Sequence, residues 1–390
     1  MNARPTVLIT GATGFVGSHL AAHLCRAGYP LFLMARSRNG RGALDRVRAR
    51  LVWAGLRDHR NITIIEGVLD TPGLGLDAEA RRNVINSVDM VLHCAADTSF
   101  AERNRSRVET ANVGAPHLLM DLLEGGRCRH FHHMSTAYVA GRTEGVVLEE
   151  LHEPPGFYNV YEETKCRAER ELEVRCRNAR MALSIYRPSI IYGDSRTGRS
   201  TQFGAIYFPV RTLLHIRSVL VKDLEEGDGE RAQSYGASLT SDGRLFMPIR
   251  FENHASGTID LIPIDHLVRS VGAIMEKADA AGIFHIVNRK SCTLGELMEY
   301  TRRLYPIRGL SLAEWKAFEV EPRNSLERLF HKHLALYDVY MQDQRRFDDS
   351  RAREILDPAG LTCPDFTFES FRRCMDFAQS VEWGRALWTE

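Results

Sequence analysis

Lysine is nearly absent: six lysines stand against 45 arginines in a chain of 390 residues, and the net charge is only +1. With the two signs so closely balanced, no bulk attraction to nucleic acid operates, and no nucleic-acid partner is expected. Long apolar runs are also missing. The longest candidate, Val210 to Val221, is interrupted by Arg211, His215 and Arg217, so no membrane span is expected. The eight cysteines are scattered, with no Cys-x-x-Cys pair and no histidine at zinc spacing. That pattern suits reduced thiols in a cytoplasmic protein without a metal site. No apolar leader opens the chain, because Met1 to Pro5 is polar. Internal repeats and low-complexity stretches are absent as well, which argues against solenoids and tails.

Short apolar, β-branched runs fill the first half instead: Thr6–Thr10, Leu31–Ala35, Ile62–Glu66, Met90–His93, Phe131–Met134 and Leu183–Arg187. Amphipathic stretches separate them at Gly14–Ala27, Gly42–Ala54, Asp77–Asn86, Val108–Glu124 and Tyr161–Asn178. Apolar strands alternating with helices predict an α/β fold, a doubly wound parallel Rossmann sheet covered on both faces. The expected domain is residues 1–195, to which 259–289 returns as helix Ile264–Lys277 and strand Gly282–Val287. Residues 196–258, rich in glycine, read as loops with short elements. Together with the mostly helical 290–390 they form a smaller substrate-binding domain.

The first strand runs into Thr10-Gly11-Ala12-Thr13-Gly14-Phe15-Val16-Gly17. Glycines at this spacing, between a strand and a helix, allow a tight turn, approach to a pyrophosphate and close helix–strand packing. Thr10, Thr13, Phe15 and Val16 belong to the same loop and helix start, where N–H groups face phosphates. At the end of the second strand, where an NAD site places an acid, the chain reads Ala35-Arg36-Ser37-Arg38. Arg36, supported by Arg46 on the next helix, suits a 2′-phosphate. The cofactor expected is therefore NADPH.

Tyr161 and Lys165 lie four apart and so share a helix face. At that spacing the ammonium is expected to lower the phenol pKa, so that tyrosine serves as an acid or base. One strand earlier, Ser135-Thr136 ends a strand where ligands of α/β sheets bind. Thr136 is the candidate second oxyanion donor, with Ser135 its rival. His130, His132 and His133 look like a metal cluster, but alternation along a strand separates neighbours, and a structural role fits them better. The charge run Asp223–Asp228 reads as a solvated loop. The pattern in His333–Met341 reads as an amphipathic helix without chemistry.

The order Gly-x-x-Gly-x-x-Gly, His93-Cys94-Ala95-Ala96, Asn112, Ser135-Thr136, Tyr-x-x-x-Lys, Arg187-Pro188-Ser189 resembles the extended short-chain dehydrogenase/reductases. Leu33-Met34-Ala35-Arg36, Asp70 to Leu76, Ala95 to Phe100, Ser135 to Gly141 and Asp260 to Asp265 resemble its male-sterility branch, which includes fatty acyl-CoA reductases and thioester reductase domains. The resemblance implies that Asp70 contacts the adenine and that Cys94, Ala95 and Ala96 line the cofactor. It implies that Asn112 braces the active-site helix, that Lys165 also holds the nicotinamide ribose, and that Pro188 and Ile190 flank the nicotinamide. Thr164 stands where serine is usual, and Val68-Leu69 separate Gly67 from Asp70.

The function so implied is NADPH-dependent reduction of an acyl thioester, CoA- or carrier-bound, to an aldehyde, with onward reduction to the alcohol left open. The thioester would arrive in trans, since no adenylation or carrier domain is recognisable, to a monomer or homodimer. Nucleotide-sugar epimerisation or dehydration, or dehydrogenation of a secondary, sterol-like alcohol, would use the same residues. A non-catalytic NADP(H)-binding protein is the third reading, and the presence of both Tyr161 and Lys165 speaks against it.

Overall fold

The structure, a computed structural model, describes residues 4–58, 60–252, 257–277, 280–335, 337–341 and 343–387. Residues 1–3, part of the polar start noted above, lie outside the described residues. The chain forms two compact units.

The first unit comprises residues 1–189, 264–287 and 345–363. Its strands are β1 (Val7–Thr10), β2 (Leu31–Ala35), β3 (Ile62–Glu66), β4 (Met90–His93), β5 (His130–Met134), β6 (Val146–Val147), β7 (Ala182–Pro188), β8 (Gly282–Ile286) and β9 (Arg346–Phe347). Its helices are α1 (Phe15–Arg26), α2 (Ala43–Trp53), α3 (Ala78–Ser87), α4 (Arg105–Glu109), α5 (Ala115–Leu123), α6 (Val160–Asn178), α7 (Ile264–Met275) and α8 (Ser350–Leu356). Seven strands make one parallel sheet in the order β8-β7-β5-β4-β1-β2-β3. Every residue of β1, β2 and β5 is buried, as expected of strands covered on both faces. From β1 the chain winds outward through β2 and β3, then returns to β4 on the other side of β1. That reversal opens a crevice at the carboxyl ends of β1 and β4, where ligands of open α/β sheets bind.

The segment 345–363, expected in the substrate domain, belongs to this first unit. The reason is local: β9 pairs in parallel with β6, and α8 packs on β8 and α7. Glu149 fastens it further by accepting N–H bonds from His285 (2.7 Å), Arg351 (2.6 Å) and Ala352 (3.3 Å). The first long segment also ends at Ser189, earlier than the expected 195, and the return begins at Ile264, later than 259.

The second unit comprises residues 190–263, 288–344 and 364–390. It holds a parallel pair, Ile190–Tyr192 with Leu261–Pro263, and a three-stranded sheet of Ser238–Leu239, Leu245–Glu252 and Ile307–Ala313. The glycine-rich region read as loops contains a 20-residue helix, Tyr207–Glu226. Its apolar residues Val210, Leu213, Ile216 and Leu220 recur at helical spacing and join the core. Asp223 to Glu226, read as loop, are therefore the last turn of a helix. Among the described residues, no helix is long and apolar enough to cross a membrane.

Candidate active site

The turn from β1 to α1 is set by glycine. Gly11 has φ +72°, and the Gly14 N–H donates to its carbonyl at 2.8 Å. A methyl group on Gly11 would come within 2.6 Å of the Ala95 nitrogen, and one on Gly17 would strike the Gly11 carbonyl. Gly14 caps α1 without a side chain. The first-turn N–H groups beside Thr13, Phe15 and Val16 are thus not claimed by a capping side chain, as a phosphate requires. The residues present fit a dinucleotide.

At the carboxyl end of β2, Arg36 is exposed and Arg46 of α2 reaches back to donate to the Arg36 carbonyl. The chain then folds into a tight bridge between Arg38 and Arg41, through Asn39 and Gly40 at positive φ. Burial, then Arg38 and Arg36, hold the Arg46 guanidinium below its ordinary pKa. Burial and Arg46 bring Arg50 down to about 10. Mutual repulsion of this kind is relieved by a multivalent anion. Asp70 lies exposed in the turn after β3.

Asn112 sits in a π turn, Thr110–Gly114, between α4 and α5, a device that re-aims one side chain inside a helix. Its oxygen accepts from the Asp97 N–H at 2.8 Å, and its amide donates to the Asp97 carbonyl and to the Thr164 hydroxyl, both at 3.0 Å. Asn112 thereby ties the loop after Cys94, Ala95 and Ala96 to α6. Thr164 in turn donates to the Val160 carbonyl at 2.8 Å, so the hydroxyl does what a serine would.

Helix α6 begins at Asn159, whose side chain accepts from the Glu162 N–H at 3.1 Å. Two residues on, Tyr161 lies beside Phe100, with ring centroids 6.0 Å apart. Thr136 faces the Tyr161 phenol and draws its pKa down. Its rival Ser135 donates instead to Glu169, so the two adjacent hydroxyls are separated by partner. The expected lowering of the phenol by Lys165 does not occur. Burial pushes Tyr161 up to about 12, with Thr136 acting the other way. The Lys165 ammonium is drawn to the Met134 carbonyl at 2.5 Å and to His133 Nε2 at 3.2 Å. Burial lowers Lys165 to about 8, with Glu169 and Cys94 acting the other way.

Beneath this pair lies a buried polar seam. Glu169 and Arg187 form an ion pair at 2.6 Å with side chains 1% and 0% exposed. Arg187 approaches His285 Nε2 at 3.4 Å, and His285 Nδ1 bonds the Asp348 carbonyl at 2.6 Å. Glu169 was legible in advance, since Tyr161, Lys165 and Glu169 recur every four residues along one helix face. Pro188 closes β7 in the first unit. Ile190 opens the second unit's Ile190–Tyr192 strand and is half-buried.

The family model described as male sterility protein matches residues 9–271. A Drosophila melanogaster protein named fatty acyl-CoA reductase wat is 24% identical over 252 residues, 55% of this chain and 48% of that one. The chain therefore spans about half the length of that relative. Among solved structures, the terminal R domain from the myxalamid PKS-NRPS biosynthetic pathway matches with a TM-score of 0.75 at 20% identity, covering 99% of this chain and 93% of that one. A thiolation-reductase di-domain from an archaeal non-ribosomal peptide synthetase matches with a TM-score of 0.69 at 15% identity, covering 97% and 76%. At these identities the structures bear on the fold, a parallel-sheet Rossmann architecture, while the family model spans the glycine turn, Thr136, Tyr161 and Lys165. The chain belongs to the male sterility protein family, within the extended short-chain dehydrogenase/reductases.

Proposed function

We infer that the chain is an oxidoreductase that reduces an acyl thioester, presented on CoA or on a carrier protein in trans, to the aldehyde. The observation that carries this reading is the Thr136–Tyr161 hydroxyl pair beside a buried lysine, in a family with fatty acyl-CoA reductase relatives. NADPH, when bound, supplies the hydride. The two hydroxyls meet the negative charge that develops on the carbonyl oxygen. Tyr161, held near 12, is protonated at neutral pH and gives its proton to that oxygen. The Lys165 ammonium balances the phenolate left behind. The carbon–sulfur bond of the resulting hemithioacetal then breaks, the thiol leaves and the aldehyde remains. Further reduction to the alcohol would use the same groups.

NADPH rather than NADH is supported by Arg36, Arg38, Arg46 and Arg50, gathered where an NAD site places an acid. Asp70 would meet the adenine, Cys94, Ala95 and Ala96 the dinucleotide, and Pro188 and Ile190 the nicotinamide. The test is NADPH consumption with a panel of acyl-CoA and acyl-phosphopantetheine thioesters, with carbonyl products trapped. The expected result is aldehyde from at least one thioester, lost by roughly 100-fold or more in Tyr161→Phe while NADPH still binds. Turnover retained in that variant, or cofactor binding without turnover of any thioester, would overturn the reading.

A further inference from the structure

We propose that His133 is a positioning residue for Lys165: its Nε2 is a fixed acceptor that orients the ammonium. This rests on the reading of Lys165 as the group that steadies Tyr161 and holds the cofactor.

The placement follows from strand register. Thr10, His93 and His133 are direct partners on three adjacent strands, β1, β4 and β5, close to their carboxyl ends. Their side chains therefore share one face of the sheet. The Thr10 hydroxyl and His93 Nδ1 lie 2.8 Å apart, and the His93 and His133 rings stack with centroids at 5.7 Å and planes within 10°. His130 and His132 point to the other face, where they stack on each other at 3.9 Å and reach Ser184 and Tyr186. The three neighbouring histidines are thus two separate structures, and only His133 faces α6.

An ammonium has three N–H donors. Met134 and His133 take two of those on Lys165, which leaves one for the ribose and the tyrosine. The acceptor has to be neutral imidazole with its proton on Nδ1, because Lys165 donates to Nε2. Burial first, then Lys165 and His93, keeps His133 far below the usual imidazole range. Among the described residues, His133 Nδ1 has no hydrogen-bond partner. A buried N–H left unpaired costs free energy. An arrangement that tolerates it places the imidazole for its Nε2. The other ionisable groups acting on Lys165 are Glu169, one turn along α6, and Cys94 at the end of β4; His93 lies behind the His133 ring.

The first measurement reads the wild-type protein itself. In full-length protein labelled with 15N-histidine, at a pH below the Lys165 value of about 8, His133 should show a protonated Nδ1 and an unprotonated Nε2. The signal is assigned by its absence in His133→Gln. A proton on Nε2 would overturn the proposal. The second measurement is a matched pair. His133→Gln keeps an acceptor oxygen in a chain of similar length, whereas His133→Met offers only a weak thioether. Both are checked by melting temperature, and NADPH affinity is read by fluorescence together with the pH profile of turnover. His133→Met should weaken NADPH binding and slow turnover by roughly 10- to 100-fold, the loss of a bond to a charged group, and should displace the alkaline limb. His133→Gln should recover most of both. Equal behaviour of the two folded variants would overturn the proposal. If the methionine variant does not fold, an unimpaired His133→Gln with the expected tautomer supports it, and an impaired one does not. Tautomer and cofactor affinity are read without any acyl substrate, so their failure is distinct from failure of the thioester reading.

Discussion

The two units fill their interiors differently. In the first, the buried residues include Lys165, Glu169, Arg187, His93, His132, His133 and His285. In the second, the core is Tyr207, Leu213, Leu245, Phe330, Phe371 and similar side chains. Its ion pair of Arg250 with Glu327 at 2.7 Å lies with the arginine 19% exposed. Among the described residues, every buried histidine, lysine and arginine belongs to the first unit. Burying a charge costs stability unless it is paired and hydrogen-bonded. The first unit bears that cost around β5 and α6, next to the candidate chemistry, while the second is organised for packing.

Four experiments break or sharpen this contrast. The largest effect should come from Arg187→Met, which leaves Glu169 charged and buried. Its unfolding free energy by urea denaturation should fall by about 3–5 kcal/mol, whereas Arg250→Met in the second unit, where the arginine is itself partly exposed and the buried Glu327 keeps the backbone N–H bonds of residues Arg250 and Asn324, should lose closer to 1–2 kcal/mol. Similar losses would mean that the two interiors tolerate charge alike. Next, Thr136→Ala should lower kcat by about 100-fold, near 2.7 kcal/mol, and Ser135→Ala by far less, because Ser135 bonds Glu169. Steady-state rates on one thioester decide between them. Third, Arg36→Ala should weaken NADPH binding by about tenfold with little change for NADH, about 1.4 kcal/mol of phosphate recognition; equal losses would move the 2′-phosphate elsewhere.

The fourth experiment concerns pH. Lys165 is held at about 8 in the fold, below its ordinary 10.5. Between those values the unfolded chain binds more protons than the folded one, so stability contributed by this group rises with pH. That contribution is complete above 10.5 and is lost as pH falls through about 8. Denaturation curves across this window should show the rise in the wild-type protein and its absence in Lys165→Met.

How much of this was legible in the sequence follows from which forces are local. The seven sheet strands and the helices between them were read closely, because parallel strands are continuous apolar runs and the helices are amphipathic. The glycine turn and the Tyr161–Lys165 spacing were equally plain, since backbone geometry and helix period fix them. Three features were not. The helix Tyr207–Glu226 was hidden by the glycines that follow it and by its polar last turn. The membership of 345–363 depends on β6, a two-residue strand too short to show in a pattern. The direction of the Tyr161 pKa shift was misjudged, because spacing along a helix brings Lys165 to the right face but does not reveal the Met134 carbonyl and His133 that engage its ammonium. Those partners come from β5, 31 and 32 residues away in sequence, and only the register of the sheet brings them in.

The first unit is assembled from three stretches of chain, the last being 345–363, whose backbone N–H groups at Arg351 and Ala352 engage Glu149. During synthesis this has a consequence of timing. Residues 1–189 leave the ribosome with Glu149, His285's neighbours and the β6 edge still lacking their partners, and they wait while some 150 further residues are made. The nucleotide-binding half thus completes itself almost last, so a ribosome stalled or a gene truncated before residue 345 would yield a chain whose glycine turn and tyrosine are present but whose frame is open.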